Sequence, residues 1–85
     1  MSTFDGAVIK EQGVVFGVVA ARRGISSSER IALINGASRL FGGIPVVAME
    51  QDHRGVPTYY GRRDLVNFLA SIPLEAIPWR TYTVS

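Results

Sequence analysis

The side chains best suited to chemistry cluster at four places along this 85-residue chain. Tyr59-Tyr60-Gly61-Arg62-Arg63 sets two guanidinium groups at the start of a predicted helix, where free backbone N–H groups and the helix dipole already favour an anion. Two cations there are unfavourable without compensation. Tyr60, Gly61, Arg62 and Arg63 therefore form a candidate seat for a phosphate or carboxylate, with a tyrosine ring to stack on a base or ligand. The competing outcome is that Asp64 and a nearby carboxylate neutralise the arginines while one tyrosine packs in the core. His53, between Asp52 and Arg54, has the chemistry of an acid or base, but no Ser, Cys or second carboxylate accompanies it at a telling spacing. An exposed His in a hairpin turn is usually just solvated, and that is the preferred reading. Glu50 and Asp52 lie two apart on a predicted strand and share a face, a spacing that suits a hard cation or divided acid–base roles. Asp52 serves as well to order a turn through backbone N–H groups. Trp79, Arg80 and Tyr82 combine aromatic rings with a guanidinium, the composition of interface hot spots, although Trp79 after Pro78 also suits a core plug. Ser26-Ser27-Ser28 lacks the Gly and Lys of a phosphate loop and reads as a helix cap.

The elements that must position these groups follow from hydrophobic periodicity. Ala7–Lys10 is a short extended segment, and Glu11-Gln12-Gly13 a turn. Val14–Ala21 is β-branched and apolar on both faces, the pattern of a strand covered on both sides. Gly17 within it points to a bulge or a close helix contact. Ser26 to Glu29 matches a capping box, predicting a helix from about Ser27 to Phe41 with Leu33, Ala37, Leu40 and Phe41 on its apolar face and Ile31 and Ile34 widening it. Gly36 weakens that helix, and its presence there suggests close packing on a sheet. Gly42-Gly43 ends the helix. Ile44–Glu50 and Val56–Tyr60 read as an antiparallel hairpin, with Pro57 marking the second strand as an edge. Leu65, Phe68, Leu69 and Ile72 give the strongest helical stripe, over about Arg63 to Ser71, ended by Pro73. Leu74–Pro78 is a connector, and Trp79–Val84 a final strand.

The fold expected is one α/β (α+β) domain of two layers, with a mixed four- to five-stranded sheet, two helices and the order (β)βαββαβ. Val14–Ala21, the first helix and the next strand should form a parallel crossover. Gly43-Ile44-Pro45-Val46-Val47, the hairpin around Gly55 and Gly61–Leu69 stand in an order that resembles the C-terminal half of the thioredoxin and glutaredoxin fold. The resemblance covers Phe41 to Leu69, about a third of the chain. It implies shape without thiol chemistry, because the family's cysteine loop has no counterpart and the thiolate is the nucleophile. The same element order also fits a ferredoxin-like split βαβ sandwich.

Composition bounds the function. With no Cys, disulfides and thiolate metal sites are excluded, and one His cannot hold zinc unaided, so no metal or cofactor is expected. The net charge is +2, eight of nine basic residues are Arg, and the pI near 9.5 is compatible with nucleic acid as well as with an ordinary surface. The opening residues Met1–Gly6 lack a basic, apolar leader and the longest apolar run is far short of the ~20 residues of a membrane span. The cytoplasm is the default compartment and no membrane is expected. An apolar fraction of 47% in so short a chain favours association with a second copy. The first expectation is thus a non-enzymatic, homodimeric interaction module using Trp79, Arg80 and Tyr82. The alternative is an anion, nucleotide or nucleic-acid binder using Tyr60, Gly61, Arg62 and Arg63, with a phosphate-bearing ligand. An enzyme using His53 and a carboxylate stands third.

Overall fold

Val14–Ala21 forms the middle of the sheet, as its two-faced apolar pattern requires. The computed structural model describes residues 2–11 and 13–84. Its strands are β1 (Ser2–Glu11), β2 (Val14–Ala21), β3 (Val46–Gln51), β4 (Pro57–Tyr60) and β5 (Arg80–Val84). Its helices are α1 (Ser27–Leu40) and α2 (Arg63–Ala70), with a 3-10 turn over Leu74–Ala76. The strands pair in the order β4-β3-β2-β1-β5. β2 and β3 are parallel neighbours, joined by α1 as a crossover, and all other neighbours are antiparallel. The result is one α+β domain with a five-stranded mixed sheet and two helices, the element order read from the sequence. Gln12 of the expected β1–β2 turn lies outside the described residues. β1 is longer than the Ala7–Lys10 segment expected, because its polar first half is held extended by pairing with β5.

The layering departs from expectation. Alternate residues of the sheet face opposite ways, and each face carries its own helix. On one side Val19, Val46, Ala48 and Ala37 are buried together beneath α1, with Leu33, Ile34, Phe41, Phe4 and Tyr60 packed around them. On the other, Phe16, Val18, Val47 and Met49 are buried with Leu65 and Leu69 of α2 and with Ile77. The protein therefore has three layers, helix–sheet–helix, rather than two. Each fully buried side chain of the Phe16 or Leu69 kind contributes about 1.5–3 kcal/mol by leaving water.

α1 begins as its sequence dictates. Ser26 is the N-cap, its hydroxyl accepts from the Glu29 N–H, and the Glu29 carboxylate accepts in return from Ser26. These Ser26 hydrogen bonds, with the Arg22 cation, lower the Glu29 pKa. The helix ends where Gly42 and Gly43 take φ values of 86° and 90°, which side chains with a Cβ resist. Its buried stripe is rotated from the one expected: Leu33, Ile34, Ala37 and Phe41 face the sheet, whereas Ile31 and Leu40 are 59% and 47% exposed. Arg30 takes the sheet-facing position a turn before Leu33, over Tyr60 and beside Glu50.

Gly36 is also reassigned. A Cβ built there meets nothing within 4 Å, so no close packing requires glycine. Gly36→Ala is expected to raise stability by about 0.4–1 kcal/mol, through higher helix propensity and a less entropic unfolded chain. Urea unfolding followed by circular dichroism measures it, and a loss of stability would contradict the open environment. Gly17 behaves as anticipated, lying against Phe41 just after α1, while its ladder partners Val8 and Val46 stay in regular register.

Candidate functional site

The corner around Gly61 is divided by the sheet. Tyr60, on β4, faces α1 and lies under the Arg30 guanidinium, whose carbon is 3.7 Å from the ring centroid. Tyr59 faces the α2 side, where its ring packs on the core and its hydroxyl finds no hydrogen-bond partner among the described residues. Burial raises the Tyr59 pKa above the usual phenolic value. Gly61 allows the chain to pass close to β3, because a Cβ there would lie 3.0 Å from Val47 Cγ2. Arg62 is the N-cap of α2 and makes a bidentate pair with Asp64, with both N···O distances 2.7 Å. Arg63 is exposed. Of the four residues expected to seat an anion, Tyr60 is therefore engaged by Arg30 and Arg62 by Asp64. The two do not converge on one surface.

The Arg62 hydrogen bonds hold the Asp64 carboxyl down at about 2, from an ordinary 3.8. Because the folded value lies below the unfolded one, the pair's stabilisation is present above pH 4 and is lost as pH falls toward 2. Both side chains are exposed, so the contribution to folding is small. Following the Asp64 carboxyl carbon by NMR should place its midpoint at the depressed value, and Arg62→Ala should return it to the ordinary carboxylate range. An unchanged midpoint in that variant would show the pair is not formed in solution.

His53 sits exposed at the β3–β4 turn, and it is not among the residues lining the pockets beside Phe16 and Trp79. Asp52 orders that turn by accepting from the N–H groups of Arg54 and Val56 at 2.8 and 2.9 Å. Glu50 is turned elsewhere. It accepts from the Gly24 N–H at 2.8 Å and lies 3.7 Å from Arg30. Glu50, Arg30 and Tyr60 thus bind α1 to β3 and β4. Sequence inspection passed over Arg30, although its place a turn before Leu33 on the buried stripe is the signal that would have found it. Among the described residues no group of three or more His, Asp or Glu side chains is arranged to hold a metal ion. No described helix is long and apolar enough to cross a membrane.

The expected interface residues lie on and beside β5. Trp79 is half-buried against its own core, and its indole N–H donates to the Leu74 carbonyl at 3.2 Å. Arg80 is exposed. Tyr82 stacks on Phe4, its β-ladder partner, with ring centroids 5.4 Å apart and 19° between planes. Phe41 meets Tyr82 edge-on at 5.0 Å. Phe4 was not singled out from sequence, and Phe41 only as part of the apolar face of the first helix. They settle over Gly6 and Gly17, the two sheet positions where a Cβ would collide with their rings.

The sheet's two edges differ in kind. β4 is four residues long and begins with Pro57, which has no N–H to offer. β5 is five residues long, contains no proline, and hydrogen-bonds a neighbour on one side alone. Compared with known proteins, the chain matches no family model, no curated protein and no solved structure.

Proposed function

We propose that this chain is a non-enzymatic interaction module that pairs with a second copy of itself along β5, extending the sheet across a two-fold axis. The supporting observation is the asymmetry of the edges: Pro57 removes a backbone donor from β4, and no proline interrupts β5. An unguarded edge strand is a template for another strand, and proteins that stay monomeric blunt such edges. A two-fold axis makes the contact self-complementary and closed.

The residues on β5 favour one register. Antiparallel pairing centred on Tyr82 sets the tyrosines of the two copies opposite one another and joins their Phe4–Tyr82–Phe41 clusters. A cross-strand aromatic pair is worth about 0.2–1 kcal/mol. Thr81 then opposes Thr83 of the other copy. The two Arg80 residues fall four positions apart, about 14 Å along the strands at ~3.4 Å per residue, beyond a Debye length of about 8 Å at physiological salt.

Light scattering after gel filtration is expected to give twice the 9.2 kDa chain mass. The register supplies its own test. Thr81→Lys with Thr83→Lys places like charges opposite each other at both ends and should yield a folded monomer. Thr81→Lys with Thr83→Glu opposes unlike charges and should restore the dimer. A wild-type monomer at high micromolar concentration, or a dimer indifferent to both doubles, overturns the proposal.

A further inference from the structure

On the α2 side of the sheet a pocket of about 250 Å³ is lined by Asp5, Ala20, Met49, Gln51, Leu74 and Trp79. Its origin lies in strand register. Gly6 pairs with Val19, so Asp5 stands one step on, opposite Ala20, and Ala20 pairs with Met49. One row of side chains therefore crosses three strands, and the methyl group of Ala20 leaves a depression between its longer neighbours. Leu74 and Trp79 wall it from above the sheet. The Trp79 ring is held in place by its hydrogen bond to the Leu74 carbonyl. At this size the pocket falls below the roughly 300–1,000 Å³ that takes a drug-sized ligand, and suits a group the size of one side chain.

Two acceptor oxygens on the lining side chains are left open. Asp5 Oδ1 accepts from the Thr81 hydroxyl at 2.8 Å, which leaves Oδ2 without a protein donor among the described residues. Gln51 Nε2 donates to the Gly55 carbonyl at 3.0 Å, which leaves its Oε1 to accept. No Lys or Arg lines the pocket. One carboxylate and one amide oxygen beside an indole ring call for a cation with several N–H donors and a flat surface. A guanidinium meets both requirements. An ammonium is more strongly hydrated and has no plane to lay on a ring.

We propose that this pocket binds an alkylguanidinium, the chemistry of an arginine side chain, with the cation against Trp79 and Asp5 and the stem over Ala20 and Met49. The proposal is independent of pairing through β5. Trp79 is the single tryptophan of the chain, so its fluorescence reports directly on the pocket. Titration of the wild-type protein with N-acetyl-arginine amide should give a saturable change. The neutral isostere N-acetyl-citrulline amide should give none, and N-acetyl-lysine amide should bind at least about tenfold more weakly, since an ammonium gains less from the aromatic face. Asp5→Asn keeps the Thr81 hydrogen bond but removes the charge, and should weaken binding at least about tenfold. Ala20→Leu fills the depression without altering charge, and should abolish binding while leaving the circular dichroism spectrum unchanged. Equal binding of citrulline or lysine derivatives, binding that survives Ala20→Leu, or no saturable Trp79 signal across the ligand's soluble range would overturn the proposal.

Discussion

Phe16→Ala is expected to remove about 3–5 kcal/mol of stability, the cost of deleting a fully buried aromatic ring whose surroundings collapse only in part. Phe16 lies at the start of the central strand, fully buried beneath α2 with Val18, Leu65 and Leu69. Its ring meets Phe68 edge-on, with centroids 6.2 Å apart. Both faces of β2 are covered, and its neighbours β1 and β3 are themselves paired on their far sides. A domain of this length has roughly 4–13 kcal/mol of total stability at ~0.05–0.15 kcal/mol per residue. The variant should therefore lose a large share of its stability margin. Urea unfolding monitored by circular dichroism gives the value. It must be read at fixed protein concentration, because a self-associating chain is stabilised by mass action. A loss below about 1 kcal/mol at unchanged slope would contradict the packing described.

Gly17→Ala is expected to lower stability by about 1–3 kcal/mol, although alanine is ordinarily the better residue in a strand by ~0.5–1 kcal/mol. The sign is decided by distance. A Cβ on Gly17 would stand 2.8 and 2.9 Å from two ring atoms of Phe41 and 3.3 Å from Val46 Cγ2. Phe41 cannot swing away freely, because its ring also rests edge-on against Tyr82 and Phe4. Shortening the obstacle should relieve the clash. Phe41→Leu costs stability alone but should cost less in the Gly17→Ala background, with a coupling of about 0.5–3 kcal/mol for groups in contact. A neutral or stabilising Gly17→Ala, or strict additivity with Phe41→Leu, would show that the helix end does not press on the strand as described.

These two substitutions act on opposite faces of one strand, and they mark the line between what could and could not be read from residues in order. The alternation of Phe16, Val18 and Val19 announces a strand covered on both sides, and the stripe of Leu65, Phe68 and Leu69 announces a helix that covers something. Neither states that this helix covers the Phe16 face. Two layers would put both helices on one face, whereas α1 and α2 cover opposite faces. The capping box at Ser26 and Glu29 was legible because all its partners lie within four residues. The rotation of α1 that exposes Leu40 and buries the flank of Arg30 was not, because it depends on Glu50 and Tyr60, twenty and thirty positions away.

The candidate sites divide in the same way. Asp52 was legible as a turn residue because its acceptors and donors are local. Arg62 and Asp64 stand two apart, and their pairing was one of the two outcomes weighed. Tyr60 gave no sign that it would be taken by a cation on α1. Asp5 and Ala20 carried no signal at all. Each is unremarkable in its own segment, and they become a row only when β1 lies beside β2.

The sequence by itself determined the kind and order of the elements, the central place of Val14–Ala21, the ends of α1 and the edge character of the Pro57 strand. All of these rest on backbone preferences and on periodicities of a few residues. The tertiary structure alone decided which helix covers which face, that β1 extends to Ser2 beside β5, that Trp79 leans on its own core, and that Asp5, Gln51 and Trp79 meet at one pocket. The reason is physical: a residue's own neighbours in sequence reveal that it has a side to bury, while what it is buried against is set by chain closure over distances that local preference does not encode.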